Sequence, residues 1–139
     1  MAVRIIPPIK NPAFLLLILT LPVMAILSSC AQVPYKTDPK LIGYKEHGIA
    51  SFYSIKYQFR KTSSGERFNQ LALTAAHRTL PFGTRVRVTN LKNNRSVVVK
   101  INDRGPFIDG RIIDLTRNAF SRIGNTEQGL IQVRIEVIY

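Results

Sequence analysis

The sequence has 139 residues, 45% hydrophobic and 20% charged, with 20 Lys and Arg against 8 Asp and Glu and a formal net charge of +12. That balance describes one basic globular domain; the length excludes a full α/β barrel, and eight Gly with eight Pro exclude collagen-like or low-complexity chains. One Cys and two His exclude internal disulfides and any cluster with metal-ligand spacing, so neither a metal nor a cofactor is expected.

The segment Phe14 to Leu27 is uncharged and nearly all apolar, yet too short for a standard membrane span. Arg4 and Lys10 precede it without an acidic residue, and Leu27-Ser28-Ser29-Cys30 follows it, the order of an export leader. A Cys directly behind small residues resembles the bacterial lipobox, in which that Cys is lipidated and becomes the mature N-terminus. Residues 1–29 are therefore expected to be a signal peptide, and Cys30 a lipid anchor to a membrane. Ala31, rather than Asp, after the Cys implies the periplasmic face of an outer membrane. Losing Arg4 and Lys10 with the leader leaves a strongly basic chain, which favours a polyanionic partner. Export argues against nucleic acid and leaves peptidoglycan or anionic lipid as candidates, unless the charge serves solubility alone.

Ala31 to about Glu46 has two prolines and no sustained period, and is read as part of a flexible tether over residues 30–46, with the folded unit beginning near His47. Period-two patterning predicts strands at Ile49 to Tyr53, Thr84 to Val88, Ser96 to Ile101, Arg111 to Leu115 and Ile131 to Val137. Asn93-Asn94 tolerates positive φ and predicts a hairpin between the second and third of these. Thr116 is expected to cap a short helix through Ile123, with Gly124 as its stop. About six short strands with one or two small helices suggest a compact closed barrel, since closure removes exposed edges.

Residues that could carry chemistry fall in Thr62-Ser63-Ser64-Gly65-Glu66-Arg67-Phe68-Asn69, in Leu73-Thr74-Ala75-Ala76-His77-Arg78-Thr79-Leu80-Pro81-Phe82-Gly83-Thr84, and in Asn102-Asp103-Arg104-Gly105-Pro106 leading to Arg111-Ile112-Ile113-Asp114-Leu115-Thr116. In this order, behind a lipobox, these segments resemble the rare lipoprotein A (RlpA) family. The resemblance covers Gly48 to Tyr139. It implies a mainly β fold, a six-stranded double-psi β-barrel similar to that of certain lytic transglycosylases, certain endoglucanases and the first domain of expansins. The chain departs from the family at Gly48-Ile49-Ala50-Ser51-Phe52-Tyr53-Ser54, where members commonly read Gly-x-Ala-Ser-Trp-Tyr-Gly, and at Asn69, where some carry Asp. The peptidoglycan-binding repeat of many relatives is not expected after Tyr139.

The implied activity is lytic transglycosylation of peptidoglycan glycan strands, preferring strands without stem peptides and leaving 1,6-anhydro ends. A hydrolase needs two carboxyl groups, whereas a lytic enzyme can use one, because the muramic acid C6 hydroxyl is an internal nucleophile. Related barrels imply Asp114 as the acid/base, and apolar Ile112, Ile113 and Leu115 around it favour a protonated form; a helix-start carboxylate is the alternative. Glu66 could position the sugar or be the acid itself. His77 could hold a carboxylate in place or bind substrate. Asp103 with Arg104 could act in catalysis or form a local ion pair that shapes the cleft. Substrate contacts are assigned to Tyr53, Asn69, Arg104 and Arg111, with Phe52 a further stacking candidate. Cell-division proteins are implied partners. The alternative to an enzyme is an expansin-like glycan binder or division scaffold, suggested by Asn69 in place of Asp.

Overall fold

A computed structural model of the chain describes residues 37–139. The leader, Cys30 and the tether as far as residue 36 lie outside the described residues. Six strands follow one another as β1 (Lys45–Phe52), β2 (Thr74–His77), β3 (Arg85–Asn90), β4 (Ser96–Asp103), β5 (Arg111–Leu115) and β6 (Ile131–Val137), with the helix α1 (Arg117–Ile123) between the last two. Two 3-10 turns, Pro39–Leu41 and Ile55–Tyr57, complete the elements among the described residues. The strands close into a barrel in the order β1-β5-β2-β4-β3-β6. The β1–β5 and β2–β4 pairs are parallel, and the other four pairs are antiparallel.

Alternating apolar side chains turn one face of each long strand inward. Val86, Val88, Val99, Ile101, Ile113, Leu115, Val133 and Ile135 are fully enclosed, so the barrel is filled by β-branched and aliphatic carbon. Helix α1 seals one side with Ala119, Phe120 and Ile123. It starts where expected: the Thr116 hydroxyl accepts from the Ala119 N–H at 3.3 Å and donates to the Ala72 carbonyl at 2.6 Å. It also stops at Gly124, but through close packing rather than a left-handed turn, since a Cβ there would stand 3.3 Å from the Ile131 Cδ1. The β3–β4 turn places Asn94 at φ +57°, and the Asn90 and Asn93 amides donate to the last helical carbonyl, Ile123, at 2.8 and 2.9 Å.

Two expectations shift. β1 begins at Lys45, so Glu46 is a strand residue paired with Ile135 rather than the end of a tether. β2 was legible only as a motif segment, because Thr74-Ala75-Ala76-His77 is buried on both faces and shows no alternation.

Two register shifts place the candidate residues. Between Ile49 and Ala50 of β1, β5 advances two residues, from Arg111 to Ile113, so Ile112 is an extra residue. Between Ala75 and Ala76 of β2, β4 advances from Ile101 to Asp103, so Asn102 is extra. Each bulge resets the pleat, and Ala76 consequently pairs with Asp103 on one side and Asp114 on the other. Two strand spacings put the backbones of the two acids about 10 Å apart across one outer face.

Candidate active site

Asp103 is where the pieces meet. Its Oδ1 accepts from the Ser63 N–H at 2.8 Å, the Ser63 hydroxyl at 2.8 Å and the Arg104 N–H at 2.9 Å, and its Oδ2 accepts from the Tyr53 hydroxyl at 2.7 Å. Burial pushes this carboxyl up, but the Tyr53, Ser63 and Arg104 donors outweigh burial and hold it below the usual carboxylate range. The same contact, after burial itself, drives the Tyr53 phenol far up, with Asp114 contributing, so Tyr53 keeps its proton. The Tyr53 ring packs on Phe68 at 4.5 Å. Ser63 is delivered by a turn in which Gly65, at φ +87°, returns its N–H to the Thr62 carbonyl at 2.9 Å, while Ser64 N–H docks on the Asn102 carbonyl of β4 at 3.2 Å.

Glu66 lies beside this turn and faces Lys100 Nζ at 2.7 Å and Asn102 Nδ2 at 3.0 Å. Burial raises it, but the two hydrogen bonds and the Lys100 and Arg85 charges lower it further, so it too rests ionised. Asp114 is paired with Arg111, which the Ile112 bulge brings to the same face despite their odd spacing. This corrects the expected setting of Asp114: Ile113 and Leu115 point into the barrel, and a guanidinium, not apolar carbon, meets the carboxylate.

His77 joins a carboxylate, as anticipated, but the partner is Glu46, whose Oε2 stands 3.1 Å from Nε2. Its Nδ1 accepts from the N–H groups of Thr79 and Leu80 at 3.2 and 3.1 Å, which fixes the proton on Nε2. Burial lowers its proton affinity more than Glu46 raises it. With both nitrogens occupied and a side chain only 4% exposed, His77 has no free ring nitrogen to offer a substrate.

Arg104 makes no side-chain ion pair with Asp103. Its Nη1 donates to the His77 and Leu80 carbonyls at 3.2 and 2.9 Å, and its guanidinium lies 3.8 Å over the Phe82 ring, so those partners claim it. Asn69 is not brought to the cluster either; its Oδ1 accepts from the Leu71 N–H in an exposed turn. Phe52 packs on Phe120 at 4.8 Å and is core rather than platform. Sequence reasoning missed Ser63 as a donor, Glu46, the Lys100–Asn102 pair and Gln70, whose amide donates to the Tyr53 carbonyl at 2.8 Å and accepts from the Arg117 N–H at 2.7 Å. Reading β1 back through His47 to Glu46 would have exposed one of them. Among the described residues, no three His, Cys, Asp or Glu side chains converge as a metal site would.

These shifts make stability pH-dependent with one sign. His77 binds its proton less readily folded than unfolded, so its contribution is complete above the ordinary His range near 6.5 and declines as pH falls below it. Asp103 and Glu66, both lowered, add a second loss below about pH 4.5. Calorimetry should therefore find Tm falling from pH 6.5 to 5, and His77→Gln should flatten that interval. A Tm that rises on acidification from pH 7 to 5 would contradict the assignment.

A family model described as "Lytic transglycolase" matches residues 45–135. The "Endolytic peptidoglycan transglycosylase RlpA" of Pasteurella multocida is 52% identical over 103 residues, covering 74% of this chain and 35% of that protein. The "Probable endolytic peptidoglycan transglycosylase RlpA" of Synechocystis sp. is 59% identical over 91 residues, covering 66% and 28%. The chain thus spans about a third of the length of the curated relatives it matches. Among solved structures, the Streptomyces papain inhibitor aligns with a TM-score of 0.57 at 21% identity, covering 70% of this chain and 97% of that one. The apo expansin of Clavibacter michiganensis aligns with 0.55 at 22%, covering 68% and 50%. Both show the double-psi barrel fold alone. A family match running from the first strand into the sixth, with relatives more than half identical over the barrel, means that this chain belongs to the lytic transglycolase family.

Proposed function

We propose that the chain is an endolytic peptidoglycan transglycosylase, cleaving the β-1,4 bond between MurNAc and GlcNAc without water, with Asp103 as its acid/base. The observation that carries this reading is the Asp103 carboxylate, fixed by four donors from three stretches of chain while still partly exposed at the barrel surface. Asp103 takes precedence over Asp114 because Arg111 already closes the latter. Asn69 lies outside the cluster, so its amide removes no acid from it.

Asp103 rests ionised and must take up a proton before reaction; a glycan covering it excludes water, which favours the protonated form. The carboxyl then gives that proton to the glycosidic oxygen as the bond to the MurNAc C1 breaks. The C6 hydroxyl oxygen attacks C1, its proton passes to the Asp103 carboxylate, and the 1,6-anhydro ring closes with the acid regenerated. Tyr53 and Ser63 orient the carboxylate. Glu66 and the Asp114–Arg111 pair flank it as hydrogen-bonding partners for sugar hydroxyls, and the basic surface draws in muramic carboxylates. The preference for strands without stem peptides rests on the resemblance to the RlpA family.

Asp103→Asn retains most of the local bonding, since the amide oxygen can keep Ser63 and Arg104 while its NH2 donates to the Tyr53 oxygen. Turnover on denuded strands should fall by about 10² or more, with the fold intact by circular dichroism. Asp114→Asn and Glu66→Gln should cost less. If Asp114→Asn abolishes product and Asp103→Asn does not, the acid is Asp114.

The lipid anchor at Cys30 and the periplasmic face of the outer membrane belong to the same reading, supported by the lipobox-like Leu27-Ser28-Ser29-Cys30 and by Ala31 after it, and a place beside the division machinery rests on the family resemblance alone. Cys30→Ser should accumulate as unprocessed precursor and lose enrichment at the division site. Normal processing and unchanged fractionation of that variant would rule the anchor out.

A further inference from the structure

The loop between β1 and the Ser63 turn carries a residue that its own backbone disfavours. Phe59 has φ +65°, a left-handed conformation open to Gly and unfavourable for an aromatic side chain. Three hydrogen bonds hold it there: Phe59 N–H to the Phe68 carbonyl at 2.9 Å, Phe68 N–H to the Arg60 carbonyl at 2.8 Å, and Arg67 Nη1 to the Phe59 carbonyl at 3.1 Å. Burial does not offset the strain, because Phe59 is 66% exposed. Four exposed cations, Lys56, Arg60, Lys61 and Arg67, belong to the same loop. The one acid of the stretch, Glu66, faces Lys100 instead. An exposed aromatic in a costly conformation gives nothing to the core; what it provides is a rigid apolar plane held in water among positive charges.

The loop is continuous with the candidate active site. Lys56 and Arg60 lie 5.2 and 5.7 Å from the Tyr57 ring centre, and that ring lies 5.9 Å from the ring of Tyr53, whose hydroxyl is on Asp103. We propose that this loop is a glycan subsite, with the Phe59 ring against the apolar face of a sugar and Arg60 and Arg67 on the carboxylates of the same strand. The inference rests on the glycan cleavage proposed above and extends it from the reacting bond to neighbouring sugars. A strand is favoured over a lipid surface because a polymer on Phe59 can also reach Asp103, whereas a bilayer gains nothing from that continuity.

Phe59→Gly separates binding from folding, since Gly is at ease at φ +65° and its greater unfolded-state freedom offsets the relieved strain. In the full chain, Tm should stay within about 3 °C of wild type, the KM for denuded strands should rise about five- to tenfold, and kcat should stay within about twofold. Arg60→Gln with Arg67→Gln should remove most of the salt dependence of that KM. An unchanged KM in Phe59→Gly overturns the subsite. So does a variant that loses pelleting with phosphatidylglycerol vesicles while its glycan KM is unaltered, which would make the loop a lipid contact. If wild type forms no glycan product at all, the proposed activity fails and pelleting decides the subsite: loss of strand pelleting in Phe59→Gly sustains it, and equal pelleting removes it.

Discussion

One carboxylate holds together stretches of chain far apart in sequence. Asp103 ends β4, Tyr53 follows β1, and Ser63 belongs to the long connection before β2; all three meet within hydrogen-bond distance. Charge-assisted bonds of this kind are stronger than neutral ones, so the ionised form of Asp103 fixes the connection against the barrel. It adds to the Ser64, Glu66 and Gln70 contacts that tie the same connection to the barrel, and it aims a carboxylate outward from a strand whose Val97, Val99 and Ile101 fill the hydrocarbon core.

The barrel makes that possible through two bulges. Without Asn102 as an extra residue, Asp103 would fall on the inward face of β4, among Val99 and Ile101. With Ile112 in regular register rather than bulged, Arg111 and Asp114 would lie on opposite faces of β5 and could not pair. Gly48 permits the second bulge, since a Cβ there would stand 2.5 Å from the Ile112 Cγ2. Both irregularities sit where the two parallel pairs cross the same side of the barrel, and the small side chain of Ala76 lies between the acids they position.

Much of this architecture was legible in the sequence because alternation is local. Arg111–Leu115, Ile131–Val137 and the helix capped by Thr116 were readable to the residue, and Asn93-Asn94 marked the hairpin. What was not legible depended on partners brought in by the fold. β2 lacks alternation because both of its faces are covered, and β1 gains Lys45 and Glu46 by pairing with β6 rather than by apolar pattern. The candidate acids were named from motifs, but their ranking turned on contacts that no spacing encodes. Arg111 reaches Asp114 only across a bulge, Arg104 is drawn from Asp103 to the Phe82 ring, and Phe59 becomes conspicuous only once its φ is known.

The central claim is that the Asp103 cluster cleaves glycan strands by internal attack rather than by water. Incubation of the full chain with denuded peptidoglycan strands, followed by mass analysis of the soluble products, tests it most directly. The account predicts fragments ending in 1,6-anhydro-muramic acid, each one water lighter than its hydrolytic counterpart. Products with free reducing ends, or strands bound and never cut, would contradict it.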